Sequence, residues 1–86
     1  MISFDNRSVL VTGGGSGIGR ATVEKFATLK ARVRVIESDA ARAADVETWL
    51  SAQGDGHRVF HGDVTRADDV NKVFAELAAT HEALGL

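Results

Sequence analysis

An 86-residue chain suits one small domain, near the lower end of what buries an adequate core. Its 44% hydrophobic and 26% charged residues are those of an ordinary globular chain, and a net charge of −2 without a long basic run argues against nucleic acid and anionic membrane as partners. The absence of cysteine excludes disulfides and thiolate metal sites, no apolar stretch approaches membrane-spanning length, and Met1-Ile2-Ser3-Phe4-Asp5 does not read as a signal peptide. A cytoplasmic location is the default expectation.

The first element is a strand from Ser8 to Thr12, a short Val-rich run of the kind that is covered on both faces in a parallel sheet. Phe4, in the segment before it, reads as a lid for the start of that strand. Next comes Gly13-Gly14-Gly15-Ser16-Gly17-Ile18-Gly19, and then a helical pattern from Gly17 to Lys30 with Ile18, Thr22, Phe26 and Leu29 along one side. The glycines therefore stand where a strand turns into a helix. Glycine lets a phosphate approach the backbone closely. The first amides of the following helix are unpaired and sit at the positive end of its macrodipole, so a pyrophosphate there needs no basic side chain. A triphosphatase loop would end Gly-Lys-Ser/Thr, whereas this one continues Gly19-Arg20-Ala21. The spacing Thr12-Gly13-x-x-x-Gly17-Ile18-Gly19 resembles that of the short-chain dehydrogenase/reductase family, whose members are NAD(P)-dependent oxidoreductases. The resemblance runs over essentially the whole chain. It implies cofactor contacts at Gly13, Ser16, Gly17, Ile18 and Gly19.

Members of that family usually carry Gly at the end of this first helix, where the chain enters the left-handed region before an Ala. Lys30-Ala31 occupies that place here, at a cost of about 1 kcal/mol if the left-handed turn is kept. A second strand follows from Arg32 to Ile36, with Val33 and Val35 on one face and Arg32 and Arg34 on the other. Relatives tend to be apolar at the Arg34 position, so that face is expected to be less deeply covered. Glu37 ends the strand eighteen residues beyond Gly19, close to where the dinucleotide pattern places its ribose-binding acid. A carboxylate there accepts from the ribose hydroxyls and repels a 2′-phosphate, which favours NAD over NADP. The plain alternative is a solvated acid at a strand end. Ser16 and Ser38 agree with the NAD reading, since NADP-preferring relatives often carry a basic residue near one of these places.

The segment from Ala40 to Gln53 reads as a helix capped by Asp39, with Ala43, Val46, Glu47 and Leu50 on one stripe and Gly54 as terminator. Trp49 lies just off that stripe, in a packing role rather than one of base stacking. Gly54-Asp55-Gly56 is a turn. A third strand runs from His57 to Gly62 and leads into Asp63-Val64-Thr65. The family resemblance implies that Asp63 and Val64 line an adenine pocket, while the residues alone leave open that Asp63 merely caps the next loop. His57, His61 and His81 show no metal-ligand spacing.

Thr65-Arg66-Ala67-Asp68 has the form of a capping box, and Val70, Val73, Phe74, Leu77 and Ala78 make a core stripe along a third helix that frays through His81-Glu82-Ala83. The order β-α-β-α-β-α is one half of a three-layer Rossmann-type α/β fold with a parallel sheet in strand order 3-2-1, truncated where a fourth strand would begin. The resemblance places the family's catalytic residues (Asn-Asn-Ala-Gly, a Ser and a Tyr-x-x-x-Lys pair) in a later part. This chain has no tyrosine, so residues 1–86 are expected to be an NAD(P)-binding half-domain without catalytic residues of its own. Two alternatives stand beside that: a stand-alone nucleotide-binding or interaction module, and a fragment of an S-adenosylmethionine-dependent methyltransferase. The latter usually shows an acid where Thr12 stands. Without a fourth strand, the edge of the first is expected to promote self-association or a homo-oligomer.

Overall fold

The computed structural model describes residues 7–54 and 56–79. Their order is β1 (Ser8–Thr12), α1 (Gly17–Thr28), β2 (Arg32–Glu37), α2 (Ala40–Gln53), β3 (Arg58–His61) and α3 (Ala67–Ala79). The strands form one parallel sheet in the order β1-β2-β3, with Val9 beside Val33, Val11 beside Val35 and Glu37 beside His61. Parallel neighbours need a crossover, and each of the first two helices supplies one.

Strand periodicity divides the core in two. Val9, Val11, Val33 and Val35 point to one face and pack with Val23 of α1 and with Val46 and Leu50 of α2, joined by half-buried Phe26, Trp49 and Val59. Burial of such side chains stabilises by about 1.5–3 kcal/mol each. The opposite face holds Leu10, Ile36 and Phe60 against Val73 and Leu77 of α3. The result is a three-layer arrangement, with α1 and α2 on one side and α3 on the other.

Local chemistry explains the helix ends. Lys30 has φ +67°; its amide donates to Ala27 O at 3.0 Å, and the Ala31 amide donates to Phe26 O at 3.0 Å. This is the paired bonding of a Schellman turn, closed by buried Ala31, so the left-handed turn is kept without glycine. Asp39 caps α2 as expected, accepting from the Arg42 amide at 2.9 Å, and Gly54 ends it at φ +138°. Arg20 joins α1 to α2 through Asp45 at 3.1 Å, while its guanidinium lies over the Trp49 ring at 5.6 Å.

Several sequence expectations need correction. Val23, which lies off the side marked by Ile18, Thr22, Phe26 and Leu29, is the fully buried residue of α1, while Ile18 in the first turn is 87% exposed. Glu47 is exposed, as its charge requires. The third strand is shorter than His57–Gly62, and α3 begins at Ala67 rather than after Thr65. The capping box does not form, because α3 begins at Ala67 and leaves Thr65 outside the helix, where its hydroxyl donates to Asp63 Oδ1 at 2.6 Å. Among the described side chains of α3 only Val73 and Leu77 are buried; Phe74 is 48% exposed and Ala78 is exposed. Arg34 is itself buried, at 5% exposure, and donates to the Gly56 carbonyl. Phe4, Asp55 and His81 lie outside the described residues.

Candidate functional site

The loop after β1 is held to the sheet by its first glycine, whose amide donates to Ile36 O at 2.8 Å. Gly13 and Gly17 have φ of +67° and +58°, a conformation that side-chain-bearing residues rarely adopt, and a Cβ on either would meet only open space. Gly19 answers a different demand. A Cβ there would lie 2.0 Å from Gly13 O, so the first turn of α1 can close on the loop only without a side chain. Ser16 occupies the N-cap position in an extended conformation, and its side chain makes no capping bond. The start of α1 thus joins open space over glycine to the positive end of a helix, which fits a pyrophosphate.

Glu37 stands at the end of β2, only 5% exposed. Its Oε1 accepts from the Gly15 amide at 2.8 Å, and its Oε2 from the Asp39 amide at 3.0 Å. Beside it, exposed Ser38 offers its carbonyl to His61 Nε2 at 2.9 Å. Beyond β3, Gly62 donates to Glu37 O at 3.0 Å, which aligns the third loop with the second. A crevice of about 90 Å³ results, lined by Gly13, Ile36, Ser38, Gly62, Asp63 and Val64. Four of the residues singled out from sequence, Gly13, Ser38, Asp63 and Val64, meet there. Ser16, Gly17, Ile18 and Gly19 make the neighbouring helix start. Ile18 does not line the crevice.

Asp63 accepts from the Thr65 hydroxyl at 2.6 Å and from the Thr65 amide at 2.9 Å. These bonds hold its carboxyl below the ordinary value, and the charge of Arg66 adds to the effect. Its own amide donates to Asp69 Oδ2 at 2.9 Å. Asp63 therefore caps its loop, and it also stands on the crevice wall; the two readings of it are compatible. Sequence reasoning missed two participants. Gly15 was only one more residue inside a glycine-rich run, yet it carries the Glu37 contact. His61 gave no signal, because its Ser38 contact depends on the strand register.

His57 is packed rather than solvated. Its Nδ1 accepts from the Val33 amide at 3.0 Å, and burial, with the neighbouring Arg34 charge, lowers its pKa. With Arg34, Arg58, Phe60, Glu76 and Leu77 it lines a cavity of about 220 Å³ that shares no residue with the crevice beside Gly13.

A glycine turn between a first strand and its helix, an acid at the end of the second strand and a crevice beyond the carboxyl ends of a parallel sheet define the dinucleotide-binding class of Rossmann folds. Within that class the chain belongs to the short chain dehydrogenase family, whose profile matches residues 7–86. It is 38% identical over 78 residues to a cis-2,3-dihydrobiphenyl-2,3-diol dehydrogenase of Pseudomonas sp. (strain KKS102), covering 91% of this chain and 27% of that protein. A short chain dehydrogenase/reductase from Burkholderia phymatum, solved in complex with NAD, superimposes with a TM-score of 0.80 at 32% identity, over 92% of this chain and 28% of the other. Pseudomonas aeruginosa RhlG, solved with NADP, does so with a TM-score of 0.77 at 32% identity, over 91% and 31%. The chain thus spans between a quarter and a third of the proteins it resembles. Membership sets the methyltransferase alternative aside. No helix among the described residues is long and apolar enough to cross a membrane.

Proposed function

We propose that residues 1–86 are the dinucleotide-binding half of a short chain dehydrogenase and hold NAD in preference to NADP. On this reading Gly13, Ser16, Gly17, Ile18 and Gly19 surround the pyrophosphate, Glu37 and Ser38 take the adenosine ribose, and Asp63 and Val64 flank the adenine. The observation that carries it is the Glu37 carboxylate: a buried acid beside the Gly15 amide presents negative charge where a 2′-phosphate would have to fit. Bound NAD would supply hydride transfer with an alcohol or carbonyl substrate in the complete enzyme. The residues of this chain bind and orient the cofactor, and none of the proposed site residues handles the transferred proton.

Titrating NAD and NADP into the wild type and Glu37→Ala tests the preference. The ratio of the two affinities should fall by about tenfold in the variant, since removing one like-charge contact is worth on the order of 1–2 kcal/mol. An unchanged ratio would mean that Glu37 is not at the ribose.

We further propose that the partner of the β1 edge is a second copy of the chain. Among the described residues β1 lies at one edge of the sheet with β2 as its strand neighbour, and exposed Phe74 adds apolar surface on α3. Sedimentation at micromolar concentration should show dimers or larger species; a single monomer would contradict this.

A further inference from the structure

Glu37 does more in this structure than wait for a ribose. Its two oxygens are both engaged by backbone, Oε1 by the Gly15 amide and Oε2 by the Asp39 amide. Asp39 in turn caps α2, accepting from the Arg42 amide with its side chain and from the Ala43 amide, at 2.9 Å, with its carbonyl. One carboxylate therefore ties the middle of the phosphate loop to the first turn of α2, through backbone amides of the chain itself.

Gly15 fits the same design. No left-handed φ requires glycine there, yet a Cβ would lie 2.6 Å from Glu37 Oε1 and 2.5 Å from Arg42 Cβ. Position 15 is open in the spacing Gly13-x-x-x-Gly17-x-Gly19. The space between Glu37 and Arg42 supplies a reason for glycine that the spacing does not contain. Drawing the Gly15 amide onto the carboxylate also commits the loop to one path between its anchor at Gly13, bonded to Ile36 O, and the start of α1.

We propose that Glu37 is a positioning residue for the phosphate loop: it holds Gly15 against the start of α2 before a dinucleotide arrives, in addition to reading the ribose. The inference rests on the dinucleotide reading above and deepens it. A preformed loop does not have to be ordered at the moment of binding, so part of the contribution of Glu37 to affinity is independent of the ribose hydroxyls. A carboxylate that only accepted from those hydroxyls would contribute nothing to a ligand lacking them.

The test compares adenosine diphosphate with its 2′,3′-dideoxy analogue, titrated calorimetrically into the wild type, Glu37→Ala and Glu37→Gln. Glu37→Ala should weaken the dideoxy analogue by roughly 5- to 10-fold, the scale of a lost charge-assisted hydrogen bond. Glu37→Gln keeps a carbonyl oxygen for the Gly15 amide and should restore part of that affinity. Dideoxy affinity within twofold of wild type in Glu37→Ala, with adenosine diphosphate still weakened, would overturn the positioning role and leave the ribose role standing. Failure of the wild type to bind either probe would overturn the dinucleotide reading itself, and the inference with it. Hydrogen exchange at the Gly15 amide of the ligand-free wild type needs no variant. Protection there supports the tie, and exchange at the rate of an open loop contradicts it.

Discussion

The two faces of the sheet are built from the same strands but not to the same depth. On the α1 and α2 face, β1 and β2 each contribute a pair of valines, and two helices close over them with Val23, Val46 and Leu50 fully buried. On the α3 face the same strands contribute Leu10, Arg34 and Ile36, and among the described residues one helix covers them, with Val73 and Leu77 buried. The candidate site lies across the carboxyl end of the sheet, and its glycine loop rests on the better-packed side. Gly14 shows the connection: a Cβ there would lie 2.5 Å from Val35 Cγ1 and 3.0 Å from Val23 Cγ2, so the loop rests directly on that core. A site that must hold a flexible glycine turn in one shape benefits from a stiff base. The thinner face carries no such demand and tolerates a buried arginine and a half-exposed phenylalanine.

The largest expected difference between the faces lies in their leucines. Leu50→Ala should cost about 3–5 kcal/mol, enough to abolish a cooperative urea transition in a domain of this size, because the surrounding valines cannot collapse into the space. Leu77→Ala should cost only about 2 kcal/mol, since α3 has room to settle toward the sheet. Equal losses in the two variants would show that the faces are packed alike.

A smaller effect comes from His57, which precedes β3 and meets β2 near its amino end. Its imidazole accepts from the Val33 amide and so must be neutral there; burial first, and then the Arg34 charge, depress its folded-state pKa. A depressed histidine pKa means that the unfolded chain binds the proton more readily. The contribution of His57 is therefore fully present above its ordinary value of 6.5 and is lost as pH falls below 6.5 toward the lowered folded-state value. Thermal melts between pH 8 and pH 5 should show a fall that is smaller in His57→Asn than in the wild type. Parallel curves would place the pH dependence at other groups.

Much of this comparison was legible in the residues. Alternation in Arg32-Val33-Arg34-Val35 separated the faces of β2, the glycine spacing pointed to the loop of the candidate site, and Asp39 and Gly54 bounded α2. What stayed hidden depended on partners distant in sequence. The side marked by Ile18, Thr22, Phe26 and Leu29 did not include Val23, the fully buried residue of α1. Thr65-Arg66-Ala67-Asp68 has the form of a capping box, yet the helix starts only at Ala67 and Thr65 belongs to the turn bonded to Asp63. The bond between Glu37 and Gly15 spans 22 positions and follows only once β2 lies beside β1.

The central claim is that a dinucleotide lies across the carboxyl end of the sheet, on the loops after β1, β2 and β3. Hydrogen–deuterium exchange with and without NAD tests it most directly. NAD should slow exchange in Gly13–Gly19, in Glu37–Ser38 and in Asp63–Val64, and leave the segment around Arg58 and Glu76 unchanged. Protection confined to that second segment, or none at saturating NAD, would contradict the account.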